Sequence, residues 1–405
     1  MPGTLPEGEP VPADGSLPQA ALTGFGDRPF GVYVHVPFCR TRCGYCDFNT
    51  YTATELGGGA SQAAYQNVIR QEIALARKVL PAGGTRVSTV FFGGGTPTLL
   101  SPGQLGDILT HIDQAFGLAA GAEVTIEANP ESVDQRSLEQ LRRQGVTRIS
   151  FGMQSSAEHV LRVLDRAHEP GRPQQCARWA REAGFEHVSL DLIYGTPGES
   201  DDDWRGSLDA ALQAGPDHVS AYALIVEEGT RLAGRVRRGE LRPPDDDVLA
   251  DRYLIADDVL TAAGFTWYEI SNWSAGTQAT CRHNMLYWTG GDWWGFGPGA
   301  HSHVAGTRWW NVRHPSAYAQ RLAAGQSPAQ AREVLTAAER RMEEIMLRVR
   351  LAEGAERSVL TSDAYLSAER AVAAALLDSA SFAAGRLVLT REGRLLADAV
   401  IRDLT

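Results

Sequence analysis

Three cysteines lie close together near the start of the chain, on one short stretch. Cys39, Cys43 and Cys46 have the spacing C-x3-C-x2-C and follow an apolar, strand-like segment directly. A cubane iron–sulfur cluster has four irons that normally each bind one thiolate, so three cysteines leave one iron without a protein ligand. That iron can bind a second molecule. The spacing therefore predicts a 4Fe-4S cluster with one open coordination position.

Two structural explanations of the cysteines are weaker. Structural zinc needs four closed ligands, and no further cysteine or histidine lies nearby at zinc-finger spacing. A disulfide framework is not expected in a chain of 405 residues with five cysteines, an odd number, and no secretory-signal pattern. Cys176 lies in a helix-like stretch and is interpreted as a buried packing residue. The sequence assigns no role to Cys281.

The composition is that of a folded protein with an acidic surface. Apolar residues make up 43% of the chain, and the formal net charge is -11 at pH 7. Phosphate binding needs a basic face, so this charge argues against a nucleic-acid partner but not against a porphyrin or a protein. No apolar run is long enough to cross a membrane. The sequence predicts a cytoplasmic protein, since thiols stay reduced in that compartment.

Strand-like apolar runs alternate with amphipathic helical stretches in the first half of the chain. The helical stretch 61–80 opens with a serine cap, and the stretch 102–116 has proline at its first position. This alternation predicts an α/β fold with a parallel sheet and helical crossovers. Six units rather than eight predict a partial, laterally open (β/α)6 barrel, with a doubly wound sheet as the alternative. The six predicted strands are 31–36, 87–92, 123–128, 147–152, 187–194 and 218–224.

The two ends of the chain differ from this pattern. Residues 1–28 are rich in proline, glycine and acidic residues, which predicts a mostly disordered leader. After residue 240 a Pro-Pro-Asp-Asp-Asp run precedes a capped helix ending at Ala263 and a strand at 265–270. The helix at 336–351 and the strand, turn and helix at 386–404 predict a small α+β, winged-helix-like module. We therefore expect a barrel domain at 29–240 and a C-terminal domain at 241–405.

Glycines and polar side chains recur where the predicted strands end. The run Gly-Gly-Gly-Thr-Pro-Thr, residues 93–98, follows the second strand, and glycines let a backbone approach a ligand closely. Glu127 ends the third strand, and a carboxylate can accept hydrogen bonds from both hydroxyls of a ribose. Ligand sites of parallel barrels gather at the carboxyl ends of the strands. These residues therefore predict a ligand site at that end.

Together, the cysteine loop and the Gly-Gly-Gly-Thr-Pro-Thr run resemble the radical S-adenosylmethionine (SAM) family. The resemblance implies the partial barrel, a 4Fe-4S cluster held by the three cysteines, and SAM chelated by the open iron. In that family the reduced cluster cleaves SAM to a 5'-deoxyadenosyl radical. The resemblance also implies that SAM is held by Tyr33, Gly94, Gly95, Thr96 and Glu127.

Three further polar residues are similar to those of the oxygen-independent coproporphyrinogen III oxidase branch. Its members use the residues corresponding to Gln154, Arg166 and Asp191 to hold SAM or a second SAM. An ion pair between Arg166 and Asp191 alone is the structural alternative. Dehydrogenases of this branch carry a fourth cysteine two residues after the triplet, where this chain has Phe48. That difference argues against coproporphyrinogen turnover.

The run His-Asn-Met-Leu-Tyr-Trp, residues 283–288, resembles a signature of the haem chaperones in this branch. The resemblance implies haem as a cofactor, with four candidate contacts: His283, Asn284, Tyr287 and Trp288. An imidazole can ligate haem iron, and His301 and His303 compete with His283 for that role. Seven of the nine tryptophans lie near this run, which would suit a flat apolar ligand. The alternative is that His283 is hydrogen-bonded inside a packed core.

The resemblance thus implies a haem chaperone that binds a 4Fe-4S cluster, SAM and haem and passes haem to apo-haemoproteins. The alternative is a coproporphyrinogen III dehydrogenase, which decarboxylates two propionates oxidatively to vinyl groups. A third interpretation is another SAM-dependent enzyme with an unknown substrate. The sequence leaves open whether SAM is cleaved, whether the chain forms a homodimer and whether it associates peripherally with membrane-bound recipients.

Overall fold

The computed structural model describes residues 8–56, 61–83 and 85–405 of the chain. Its strands are β1 Phe30–Val36, β2 Val87–Gly94, β3 Leu118–Ala128, β4 Arg148–Gln154, β5 His187–Tyr194, β6 His218–Ala223, β7 Thr266–Glu269, β8 Asn272–Ser274, β9 Asp292–Phe296, β10 His301–Val304, β11 Thr307–Asn311, β12 Ala329–Val334, β13 Ala355–Glu356 and β14 Arg386–Leu387.

The helices connect and flank these strands. They are α1 Gln19–Gly24, α2 Gln62–Val79, α3 Pro102–Phe116, α4 Gln135–Arg143, α5 Glu158–Val163, α6 Arg172–Glu182, α7 Asp201–Gln213, α8 Arg231–Arg237, α9 Asp246–Ala262, α10 Arg282–Trp288, α11 Pro315–Ala323, α12 Ala337–Arg348, α13 Ser362–Ala373, α14 Ser379–Ala383, α15 Arg391–Leu395 and α16 Ala397–Leu404. No helix in the described part of the chain is both long and apolar enough to cross a membrane.

One large sheet organises the fold, in the order β12-β11-β10-β9-β1-β2-β3-β4-β5-β6-β8-β7. Strands β1 to β6 follow one another in chain order and are all parallel. A doubly wound sheet would reverse its strand order near the middle. Sequential parallel strands with right-handed crossovers instead place their helices on one face and curve into a barrel. The predicted partial (β/α)6 barrel is confirmed, and the doubly wound alternative is wrong.

The predicted helix starts are also confirmed. Helix α2 begins after Ser61, whose hydroxyl oxygen accepts a hydrogen bond from the backbone N–H of Ala64. Helix α3 has Pro102 at its first position and a reciprocal capping box between Ser101 and Gln104. These local signals involve neighbours in the sequence, so they can be recognised without knowledge of the tertiary structure.

The predicted disordered leader is wrong for residues 8–28. Glu9 forms a bridge with Arg332 of β12, and α1 lies against the large core. Leu17 and Ala21 are buried, with 8% and 1% of their surfaces exposed. A few small apolar residues suffice to attach this segment, but they are too few to produce a periodic pattern. Residues 1–7, for which disorder was also predicted, lie outside the described residues.

The large sheet contains strands from both sides of the predicted domain boundary at residue 240. Strands β8 and β7 extend the sheet beyond β6, while β9 to β12 extend it beyond β1. Strand β9 is a further parallel strand, so the sheet continues across the proposed boundary in both directions. The sequence suggested a boundary because these added strands are short and mostly antiparallel, which ends the strand-helix alternation. A separate apolar core begins near Ile345 and ends at Leu404.

The C-terminal module that surrounds this second core is attached to the barrel by polar contacts. Arg391 and Arg394 both form ion pairs with Asp257 of α9. The guanidinium of Arg394 also lies 3.8 Å from the centre of the Trp267 ring. The C-terminal module also contains a two-stranded antiparallel sheet, formed by β13 and β14. The winged-helix-like description of this module stays a prediction.

Helix α10 closes the concave side of the barrel at the amino ends of the strands. Glu123 of β3 accepts hydrogen bonds from the backbone N–H groups of Arg282 and His283, at 3.2 and 3.0 Å, at the start of the helix. The same carboxylate forms an ion pair with Arg148 of β4 at 3.1 Å, and both side chains are almost completely buried. One carboxylate thus balances the Arg148 charge and caps α10.

We expect Glu123→Ala to destabilise the protein by about 3–5 kcal/mol, because it leaves a buried guanidinium without its partner. Urea unfolding followed by circular dichroism measures this loss. The matched control is Glu139→Ala, which removes an exposed ion pair with Arg143 and should cost less than about 1 kcal/mol. Equal losses in the two variants would contradict this account of the barrel floor.

Candidate functional site

A cavity of about 420 Å³ opens at the carboxyl ends of the barrel strands. Most of the predicted cluster and SAM residues line it: Cys39, Cys43, Cys46, Gly94, Gly95, Thr96, Glu127, Gln154, Arg166 and Asp191. Tyr33 is not among its lining residues but lies beside it, since a Cβ atom on Gly93 would contact both Tyr33 and Glu127. The fold therefore brings together residues from β2, β3, β4 and β5 with the cysteine loop.

The cysteine loop follows β1 and is joined to the glycine run that follows β2. The backbone N–H of Gly95 donates to the carbonyl of Val36 at 2.8 Å, and that of Thr96 donates to the carbonyl of Phe38 at 2.7 Å. Cys39 in turn donates its N–H to the carbonyl of Tyr51 at 3.0 Å. These bonds fix both ends of the loop relative to the sheet.

The three thiols suit a cluster rather than a single metal ion. Cys39, Cys43 and Cys46 are free and half-buried, and a Cβ atom on Gly95 would lie 3.0 Å from the Cys39 sulfur. That Cβ atom would also lie 2.5 Å from the Phe38 carbonyl oxygen, so glycine at position 95 allows the glycine run to approach the start of the cysteine loop. In the described residues the thiols do not converge as ligands of one ion would, whereas a cubane offers each thiolate its own iron. The residues present fit the cluster.

Arg166 lies against this site. Its guanidinium donates to the Cys43 sulfur at 3.3 Å, to the Asn129 side-chain oxygen at 2.9 Å and to the carbonyl of Gly152 at 3.0 Å. Arg166 and Asp191 form no ion pair in the described structure, so the structural alternative for these two residues is wrong. A cation at this place can stabilise negative charge on a sulfur ligand or on a bound carboxylate.

Two carboxylates face the cavity from β3 and β5. Glu127 accepts the backbone N–H of Gly94 at 3.1 Å, while Asp191 accepts the hydroxyl of Ser150 at 2.8 and 2.9 Å. Burial, and secondly the charge of Asp191, raise the pKa of Glu127 to about 8. Burial also raises the pKa of Asp191. Such carboxyls gain most from a ligand that brings hydroxyl or ammonium donors into the cavity.

Gln154 ends β4 in a strained conformation. Its φ is 62°, in the left-handed region that residues other than glycine rarely adopt. The side chain is nearly buried and directed into the cavity lining. A strained backbone conformation persists only where the surrounding structure holds it in place, and such conformations are common at ligand-binding sites. The position is consistent with the predicted SAM contact.

Some residues of the site were missed in the sequence. Asn129 donates its amide to the Thr96 hydroxyl oxygen at 2.9 Å and accepts from Arg166, thereby linking the glycine run to Arg166. Ser150 orients Asp191, and Tyr222 lines the cavity from β6. Every second side chain of a strand points to the same face. This period could have identified Asn129, two residues after Glu127, and Ser150, four residues before Gln154.

The motif that begins at His283 lies inside the barrel floor, away from the cavity lining. The ring of His283 is 1% exposed and stacks on Phe91. One ring nitrogen is hydrogen-bonded to the hydroxyl of Thr89 and the other to that of Tyr287, both at 2.8 Å. Neither nitrogen is open to a haem iron in this structure, contrary to the prediction. The alternative interpretation, a histidine bonded within a packed core, describes what is observed.

The other three candidate haem contacts are more accessible than His283, but they mostly contribute to packing. Asn284, Tyr287 and Trp288 are half-buried on α10. The Trp288 indole is a hydrogen-bond partner of Glu269. The crowded tryptophans do not form one open pocket, because most of them are buried in the sheet layers: Trp267, Trp273, Trp294, Trp309 and Trp310. The expectation of a tryptophan-lined ligand pocket is wrong for these five side chains.

The two competing histidines differ from one another. His303 donates from Nδ1 to the carbonyl of Gly291 at 3.0 Å and accepts the N–H of Gly306 at Nε2, at 3.1 Å. Its nitrogens are therefore both in use. His301 is exposed at the start of β10 and stacks on Trp310 with 5.9 Å between the ring centres.

We predict that SAM affinity rises as the pH increases through about 8. Below this value Glu127 is largely neutral, and it accepts hydrogen bonds from both ribose hydroxyls best when ionised. Anaerobic calorimetry of the cluster-loaded protein between pH 6.5 and 9 tests this. Glu127→Gln should weaken SAM binding about tenfold or more and flatten the pH profile. A wild-type affinity without pH dependence would contradict the assignment, and the exposed Glu139→Gln is the control.

Both the sequence and the fold are similar to those of known proteins. Residues 33–211 match the Radical SAM superfamily. The fold is similar to that of coproporphyrinogen III oxidase (HemN) from Escherichia coli, described as a radical SAM enzyme, with a TM-score of 0.82, 21% identity, and coverage of 95% of this chain and 92% of that chain.

Curated relatives are similar along nearly the whole sequence. The haem chaperone HemW of Mycobacterium tuberculosis (strain H37Rv) is 54% identical over 93% of this chain and 95% of its own length. That of Bacillus subtilis (strain 168) is 33% identical over 91% of this chain and 97% of its own. The chain therefore belongs to the HemW family within the radical SAM superfamily.

Proposed function

We propose that this chain is a haem chaperone, which binds haem together with a 4Fe-4S cluster and SAM and transfers the haem to apo-haemoproteins. The main support is the 54% identity to a protein named a haem chaperone, over 95% of that protein's length. We place this activity in the cytoplasm, where the three free thiols of the cysteine loop stay reduced.

In this proposal Cys39, Cys43 and Cys46 hold the cluster, which when reduced can supply an electron to SAM. The glycine loop around Gly94 and Gly95 holds the methionine end of SAM close to the cysteines. Glu127 accepts the ribose hydroxyls. Other polar side chains of the cavity position the rest of the molecule: Thr96, Gln154, Arg166 and Asp191.

Tyr33 supports the same site from below. Its hydroxyl is 3.0 Å from Nδ1 of His35, whose Nε2 donates to the carbonyl of Asn49 in the cysteine loop at 2.9 Å. Because Nε2 carries the proton, Nδ1 accepts the Tyr33 hydroxyl. We therefore assign Tyr33 a positioning role through His35 as well as contact with SAM.

Coproporphyrinogen III dehydrogenase is the second candidate function. The similarity to HemN over 95% of this chain favours it in fold alone, since the two sequences are 21% identical. Phe48 argues against it, because an apolar ring stands where that enzyme has its fourth cysteine. The Phe48 side chain is 59% exposed at the cavity mouth, where it offers no thiol for chemistry.

The two functions are separated by one anaerobic experiment. The cluster-loaded protein is incubated with reductant, SAM and coproporphyrinogen III, and a parallel sample is titrated with haem and then mixed with an apo-haemoprotein. We expect no protoporphyrinogen, but stoichiometric haem binding followed by transfer. Protoporphyrinogen formation would identify the dehydrogenase instead, and absence of haem binding would refute the chaperone proposal.

We also expect Cys39→Ala to abolish the broad visible absorption of the reconstituted cluster, because a cubane loses one of its three protein ligands. The fold should remain, as judged by far-UV circular dichroism, since the thiol lies on a loop outside the sheet core. Cys176→Ala is the matched control. That thiol is buried on α6 and does not line the cavity, so the absorption should persist. A full cluster in Cys39→Ala would disprove the cysteine assignment.

A further inference from the structure

Aromatic rings form a continuous series on the concave face of the sheet, below the SAM cavity. Tyr33 stacks on Phe91 at 6.2 Å, and Phe91 stacks on His283 at 5.1 Å between ring centres. The series continues from His283 to Tyr287 at 4.7 Å and from Tyr287 to Trp293 at 4.6 Å. Four of these side chains, which we call the ring wall, are Tyr33, Phe91, Tyr287 and Trp293.

The ring wall differs from the buried tryptophans in one respect. All four of its side chains keep part of their surface exposed, whereas Trp294 and Trp309 on the opposite face are almost completely buried. Neighbouring aromatic rings that are only half-covered offer a surface on which a flat apolar ligand can pack. The wall also meets the SAM cavity, because Tyr33 and Phe91 both approach Gly93 next to Glu127.

His301 stands at the edge of this wall. The indole N–H of Trp293 donates to the backbone carbonyl of His301 at 3.0 Å. His303 pairs with Trp293 in the sheet, and His301 lies two residues before His303 on the same strand, so the side chains share the concave face. The His301 ring is exposed, and its stacking on buried Trp310 restricts its orientation. His283 and His303 have both nitrogens bonded to protein groups. His301 alone among these three histidines presents a ring nitrogen to solvent.

Two arginines, Arg308 and Arg313, lie near His301. Partial burial of the ring, followed by the nearby charges of Arg313 and Arg308, lowers the pKa of His301. A histidine kept neutral at pH 7 has a free lone pair, which iron requires. The same two arginines would face the propionates at the rim of a porphyrin, although Glu333 and Glu343 share Arg308.

We propose that haem binds on the concave side of the partial barrel, with the porphyrin against the ring wall and the Nε2 atom of His301 as an axial ligand of the iron. This inference deepens the proposed chaperone function by naming its haem site. The buried motif beginning at His283 then acts as a support for the wall, since His283 holds Phe91 and Tyr287 in place. Haem and SAM occupy neighbouring parts of one barrel.

The test compares variants of the full-length, cluster-loaded protein titrated anaerobically with ferric haem. Binding is followed by the Soret difference spectrum and by electron paramagnetic resonance of the ferric iron. Loss of a residue that merely supports a metal ligand often costs 10–100-fold in affinity, so His301→Ala should cost at least about tenfold and change the iron's spin signature. His301→Gly should recover the wild-type spectrum when imidazole is added.

Further variants separate the ligand from the wall. Trp293→Leu should weaken binding about 2–10-fold while leaving the histidine-ligated spectrum unchanged. His159→Ala, which removes an exposed histidine on α5, is the matched control and should change neither quantity. Circular dichroism establishes that each variant is folded.

The outcomes distinguish this inference from the proposal on which it rests. If the wild-type protein binds no haem, the chaperone function itself fails. If the wild-type protein binds haem and His301→Ala retains the same affinity and spectrum, the His301 site is wrong. If a folded His283→Ala variant loses the histidine-ligated spectrum and His301→Ala keeps it, the axial ligand is His283 rather than His301.

Discussion

The site depends on hydrogen bonding that continues beyond the ends of two neighbouring parallel strands. β1 and β2 pair in register up to Val36 and Gly94, and the chain then diverges into two loops that carry the cysteines and the glycine run. Two more backbone bonds, from Gly95 and Thr96, keep these loops together after the strands have ended. Parallel pairing fixes the two loops at the same height, so a cluster on one loop comes within reach of a ligand on the other.

A second set of contacts supports this arrangement from the far part of the chain. The Asn49 side chain, at the end of the cysteine loop, donates to the carbonyls of Pro298 and Arg313 at 3.0 and 2.9 Å. Beneath them, the buried carboxylate of Glu72 accepts hydrogen bonds from Gly297, Asn311 and Tyr318. The cysteine loop is thus held by residues that are more than two hundred positions away in sequence.

Sequence could predict what depends on neighbours along the chain. The strand-helix alternation gave the barrel because each unit repeats the same local pattern, and Ser61 and Pro102 marked helix starts through local capping. The cavity residues could be predicted because the strand ends of a parallel sheet meet at one edge.

The role of the run beginning at His283 could not be predicted in this way. Its burial depends on Thr89, Glu123 and Tyr287, whose spatial relation is set by tertiary structure. The strand β7 was predicted, but the extension of the sheet by β8 to β12 was hidden, since short and mostly antiparallel strands lack a strong periodic signal.

The sheet order affects how the chain folds during its synthesis on the ribosome. The central parallel strands are synthesised first, yet both of their outer edges, at β1 and β6, find partners only after residue 271. An uncovered strand edge can pair with another chain. The nascent barrel therefore has at least one unpaired strand edge until β9 is made, about 70 residues after the end of β6, at a synthesis rate of about 5–20 residues per second. The cysteine loop also lacks its Pro298 and Arg313 contacts during that time, so the loop is fully anchored only after this segment has been translated.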